Sequence, residues 1–143
     1  MTLGLYIAEV EGKEHSLKPG IAEDLGVRIN GYTAGGNLVT IHFLCVAQPG
    51  LEGQIKTLEN DGKKHFKKLF SKFNGFNRSE YINIAETGVT LDTLENYYRA
   101  KISSIPGVYI VKKEHLPLTK ESNGLKDFMK NALKHKEKYL EGF

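Results

Sequence analysis

Apolar and polar positions divide this chain into stretches of period two and stretches of period 3.6. Residues 2–10 place Leu3, Leu5 and Ile7 on one side of an extended backbone and Tyr6, Ala8 and Val10 on the other. A strand apolar on both sides belongs in the middle of a sheet that is covered on both faces. Residues 11–26 are polar, contain Pro19 and Gly20, and read as a loop with one helical turn at 21–25. Residues 27–33 and 37–47 read as two strands joined by Ala34, Gly35 and Gly36, the kind of glycine pair that a hairpin turn accepts. In the second of these strands Val39, Ile41, Phe43 and Cys45 share one face, and Leu38, Thr40, His42 and Leu44 the other.

Gln48, Pro49 and Gly50 break the alternation, and a helical pattern starts at Leu51. Leu51, Ile55, Leu58, Phe66, Leu69, Phe70 and Phe73 fall in one stripe at about 100° per residue, so the spacing predicts one long helix to the Asn74-Gly75 stop. Asn60, Asp61 and Gly62 interrupt good helix formers and predict a kink or a division into two helices. Residues 80–86 predict a short strand. A helix from Thr90 or Asp92 to Ser104 follows, with Leu91, Leu94, Tyr98 and Ile102 on its apolar stripe and Asp92 and Glu95 spaced as a cap. Residues 108–113 form the last predicted strand. A final helix runs from Thr119 or Gly124 to Leu140, burying Leu125, Phe128, Met129, Ala132, Leu133 and Leu140.

The predicted order is therefore β-β-β-α-β-α-β-α, a mixed α+β fold: an antiparallel meander of three strands, then two parallel strands joined by a crossover helix. This order resembles the ribonuclease-H-like fold; a ferredoxin-like domain with an extra hairpin is the competing architecture. The resemblance lies in topology, and it implies two magnesium ions held by acidic residues on adjacent strands. Glu9 and Glu86, with Glu52 or Glu59 on the following helix, stand nearest to those places. None is an aspartate and the Asp-Gly continuation on the first strand is missing, so the resemblance implies at most a degenerate or divergent magnesium-dependent nuclease.

Composition adds boundaries. The 143 residues, 40% hydrophobic, suit one domain spanning 1–143 with its own core. One cysteine excludes an internal disulfide framework. The N-terminal residues have no basic run before Glu9, so the expectation is a cytoplasmic protein without a signal peptide. The longest stretch without Asp, Glu, Lys or Arg, 29–51, is too rich in Asn, Gly, Thr and Gln to span a membrane. The net charge of +3 is mild, but it is unevenly placed. Residues 1–50 hold three basic and five acidic groups, and residues 51–78 hold seven basic and three acidic.

That basic excess supplies the main candidate site: Lys63, Lys64, Lys67, Lys68 and Lys72 on the side of the predicted helix away from its apolar stripe, with Arg78 just beyond. Unpaired ammonium groups in a row create a potential that attracts phosphate or an acidic protein surface. Tyr97 and Arg99 form a second candidate, since exposed Tyr and Arg often anchor interfaces. The histidines show no metal-site spacing, His42 reads as a satisfied imidazole, and Cys45 reads as a buried small hydrophobe on the opposite side of its strand. No phosphate loop or dinucleotide motif occurs, and no cofactor is called for.

No catalytic constellation emerges. The sequence thus points to a small cytoplasmic binding protein (an inhibitor, adaptor, immunity or regulatory factor) whose partner is another protein, rather than to an enzyme. The alternative is a module that binds nucleic acid, a nucleotide or another anion through the 63–72 face.

Overall fold

The computed structural model describes residues 3–10, 16–22, 39–66, 70–73, 77–83, 87–119 and 122–143. Along these residues run β1 (Gly4–Val10), β2 (Ser16–Ala22), β3 (Val39–Ala47), α1 (Glu52–His65), β4 (Phe70–Phe73), β5 (Asn77–Asn83), α2 (Leu91–Ile102), β6 (Val108–Ile110), β7 (Leu118–Thr119), α3 (Ser122–Lys134) and α4 (Lys136–Tyr139). The fold is mixed α+β, as the alternating periods predict, and four α-helices lie among the described residues where the predicted order has three. Its strands are ordered β4-β5-β2-β1-β3-β6, with β7 also paired to β3.

β1 is the central strand its two apolar sides require. Leu3, Leu5 and Ile7 enter one buried cluster with Phe43, Cys45, Ile55, Leu58, Leu94, Tyr98 and Ile102, so α1 and α2 cover that face. Tyr6 and Ala8 enter a second cluster with Ile41, Leu44, Val46, Met129, Ala132 and Leu140, so α3 and the residues after it cover the other. The apolar alternation of one strand thus supplies both cores.

Several expectations are corrected. In place of a meander, β1 lies between β2 and β3, antiparallel to each. β2 occupies residues read as a loop because Pro19 and Gly20 look like turn formers. Among the described residues β5 pairs only with Ser16 and Leu17, so Pro19, opposite Ile7 on β1, has no described strand on its other side that needs its missing N–H. The predicted strand at 27–33 and the glycine turn after it lie outside the described residues. Every described strand pairing is antiparallel. β5 and β6 run in the same direction, as predicted, but three strands separate them, so the adjacent parallel pair of the ribonuclease-H-like comparison does not occur among the described strands.

The long helix is also shorter than its stripe suggests. α1 ends at His65, and Phe70–Phe73 instead pairs with β5. An apolar, aromatic run can serve either element, and the hairpin partner decides. Asn60, Asp61 and Gly62 do not interrupt α1. Gly62 is buried where a side-chain carbon would collide with the Tyr98 hydroxyl and ring, so glycine there permits close approach of α2.

α2 is capped by Thr90, whose hydroxyl accepts from the Thr93 N–H at 3.3 Å, rather than by Asp92. Glu95 is drawn inward, only 7% exposed. The last predicted helix divides at His135, whose φ of −126° and ψ of 62° are not helical. Leu140 is buried all the same, because it leaves the helix and pairs with Val111 as an antiparallel bridge.

Candidate functional site

The predicted basic face separates into three parts. Lys63 and Lys64 lie in the last turn of α1, where cations suit the negative end of the helix dipole. Lys63 is held by Glu59 at 3.0 Å, one turn earlier, while Lys64 is exposed. Lys67 and Lys68 lie outside the described residues. Lys72 is on β4 and not on a helix, and its register partner across the hairpin is Arg78. The structure therefore brings Lys72 and Arg78 together, but not on a helical face continuous with Lys63.

Tyr97 and Arg99 separate in the opposite sense. Two residues apart on a helix, they cannot share a face. Arg99 is an internal tie: its Nη1 donates to Glu141 Oε2 at 2.6 Å, its Nε lies 3.9 Å from Glu95, and its guanidinium sits 5.6 Å from the centre of the Phe43 ring. Lys113 approaches Glu95 from outside at 3.8 Å. The Glu141 hydrogen bond raises the Arg99 guanidinium above its ordinary range, which keeps it charged despite partial burial. Arg99 thus fastens the segment after α4 to α2 and is no free interface anchor.

Tyr97 stays half-buried at the surface, in a cluster that spans two helices. The His65 ring lies flat on it, 4.4 Å between centroids and 22° between planes. Phe66 and Tyr98 meet it edge-on at 5.1 and 5.2 Å. The Lys101 ammonium, one turn along α2, stands 5.7 Å from its centre. Burial, and then the charge of Asp61, raise the Tyr97 phenol above the usual tyrosine value. Beside this ring runs a cleft of about 590 Å³ between α1 and the C-terminal end of α2, lined by Gln54, Thr57, Asp61, Lys101, Ser104 and Ile105 among others. Lys101 borders both. Its place one turn after Tyr97 is visible in the sequence; the His65 contact, between separate helices, is not.

The residues weighed for chemistry are, where described, engaged within the fold. At the break in register between β1 and β3, Ile7 opposes Phe43 and Ala8 opposes Ile41, so His42 is the extra residue of a β-bulge. The bulge also explains why Ile41 belongs to the second core while Phe43 and Cys45 belong to the first, against the single face expected for all three. His42 Nε2 lies 3.1 Å from Glu9 Oε2; the carboxylate can only accept, so the ring nitrogen donates. Cys45 is fully buried, and burial pushes its thiol far above the ordinary value, away from the thiolate that a nucleophile needs. Glu86 lies outside the described residues, and among those described no three His, Cys, Asp or Glu side chains gather as a metal site. No helix among them is long and apolar enough to cross a membrane.

No protein-family model matches the chain, and neither the curated proteins nor the solved structures contain a match to it.

Proposed function

We propose that this chain is a cytoplasmic binding protein that acts through its surface and engages another protein across the α1–α2 face, with Tyr97 as the anchor. The observation that carries this reading is the fixing of Tyr97 by His65, Phe66 and Tyr98 beside a cleft with amide, hydroxyl and ammonium groups on its walls. A ring held in place before binding loses little side-chain freedom on contact, and tyrosine and its kin dominate interface energetics for that reason. The test is capture of partners from nuclease-treated lysate, quantified by mass spectrometry, with Tyr97→Ala and Lys101→Glu beside the parent chain. A partner retained by the parent and reduced at least about tenfold by Tyr97→Ala, at unchanged circular dichroism, supports the reading. An identical partner set from both variants would falsify it.

A second reading has one specific observation behind it. Lys72 is the register partner of Arg78 in the β4–β5 hairpin, so the backbone sets two basic positions of the predicted run side by side. It predicts an anionic partner over Lys63, Lys64, Lys67, Lys68, Lys72 and Arg78. Charge reversal of Lys72 and Arg78 should then abolish salt-sensitive binding of a nucleic-acid probe.

A further inference from the structure

A second surface, on the opposite side of the sheet from Tyr97, combines two features that binding sites for charged rings need. The first is an exposed ring. Phe143 is 54% exposed and is the one exposed large hydrophobic side chain among the described residues. Its position is nonetheless defined: it meets Tyr109 edge-on at 5.1 Å. The Lys136 ammonium stands 5.0 Å from the centre of Tyr109 and 5.7 Å from that of Phe143. The base of this arrangement is firm, since Glu141 is tied to Arg99 by its carboxylate and to Ile110 by its N–H at 2.8 Å.

The second feature is uncompensated charge. A cleft of about 730 Å³ is lined by Leu133, Lys134, His135, Lys136, Glu137, Lys138 and Phe143. Three lysines and one glutamate therefore face a single space. None of the ion pairs among the described residues engages Lys134, Lys136 or Lys138, whereas Lys63, Arg99 and Lys113 each have a carboxylate partner. Ammonium groups that outnumber the carboxylates around them attract an anion, and an exposed ring beside them accepts a planar ring.

From this juxtaposition we infer that the cleft bounded by α3, α4 and Phe143 is a nucleoside-phosphate site: the base stacks on Phe143 and the phosphate lies among Lys134, Lys136 and Lys138. Glu137, the one carboxylate on the wall, is placed to accept from a sugar hydroxyl. Simple anions would use the lysines but leave the ring bare; uncharged aromatics would do the reverse. The volume lies within the range of small-ligand sites, roughly 300–1,000 Å³. The same chemistry is presented by a free nucleotide and by a single strand of nucleic acid, and the experiment separates them.

Fluorescence anisotropy with a labelled single-stranded oligonucleotide of about ten residues, and calorimetry with adenosine monophosphate, would be run on the full chain. Binding of the oligonucleotide alone assigns a strand, and binding of the mononucleotide assigns a free nucleotide; either supports the site. Phe143→Ala should weaken binding about five- to a hundredfold, the range expected for one stacked base, while Phe143→Tyr should retain it. Lys136→Gln should weaken binding and lower the salt slope by about one. Tyr97→Ala should leave nucleotide affinity unchanged, which keeps this site distinct from the α1–α2 face. The site is overturned if neither probe binds, if Phe143→Ala binds as tightly as the parent, or if a polyglutamate peptide binds as well as the oligonucleotide.

Discussion

On one face of the sheet two helices, α1 and α2, close over Leu5, Ile7, Phe43 and Cys45; on the other, α3 and residues 136–143 close over Tyr6, Leu44 and Val46. The first face is locked by shape, with Tyr98 seated against Gly62 and the rings of His65, Phe66 and Tyr97 packed where the helices meet. The second is fastened by main chain: Leu140 pairs with Val111, the Lys112 N–H donates to Tyr139 at 2.9 Å, and Glu141 donates to Ile110. Arg99 and Lys63 are tied to carboxylates, Arg99 reaching across to Glu141 of the segment after α4, while none of the ion pairs among the described residues engages Lys134, Lys136 or Lys138. A cation whose partner is a neighbouring carboxylate serves the fold, and one without such a partner is available to a ligand.

Core truncation tests the comparison with the largest effect. Leu94→Ala on the first face and Met129→Ala on the second each remove a side chain with no solvent exposure, and each should destabilise by about 2–5 kcal/mol in urea denaturation. If both faces share one cooperative unit, fluorescence and circular dichroism transitions will coincide in both variants. Separate transitions in Met129→Ala alone would show that the main-chain fastening of the second face can open by itself.

Gly62→Ala probes the lock on the first face. The added methyl meets the Tyr98 hydroxyl and ring, and overpacking of this kind costs about 1–3 kcal/mol. Removing the hydroxyl in Tyr98→Phe takes away the nearest obstacle. The double variant should therefore be more stable than the sum of the two changes implies, by about 0.5 kcal/mol or more in a double-mutant cycle. Strict additivity would show that the helices separate rather than that the hydroxyl is the point of collision.

The smallest effect is absent at neutral pH and grows in alkali. Burial raises the Tyr98 phenol above its ordinary 10.0 and the Cys45 thiol above its ordinary 9.0. Both groups then hold their protons more tightly folded than unfolded. Their contribution is fully present below about pH 9 and is lost progressively above it, as the unfolded chain ionises first. Urea midpoints should fall as pH rises beyond 9, and less steeply in Tyr98→Phe. Above pH 10 an unchanged slope in that variant would place the tyrosine outside the buried core.

Particular residues show how far the sequence reaches. The double-sided apolar pattern of residues 3–8 was enough to place β1 at the centre, because a side chain must be buried on whichever face it projects from. The spacing of Leu94, Tyr98 and Ile102 identified α2 and its buried side in the same way. The offset of Tyr97 from that stripe marks it as a surface candidate. What it touches is not legible along the chain, since His65 belongs to another helix and no local spacing relates the two.

Local alternation and helical spacing therefore determined that β1, β3, α1 and α2 are regular, which sides of β1 and α2 are buried, and that helices cover both faces. Only the tertiary structure decided the rest. Phe70–Phe73 became a strand because a hairpin partner was present at Asn77–Asn83, and this divided the basic run. The bulge at His42 reversed the facing of Ile41, since one unpaired residue shifts the two-residue period. Arg99 became internal because Glu141, distant in sequence, arrives beside it. Tyr109, Lys136 and Phe143 meet for the same reason: period and propensity describe neighbours along the chain, whereas a cluster of this kind is made by neighbours in space.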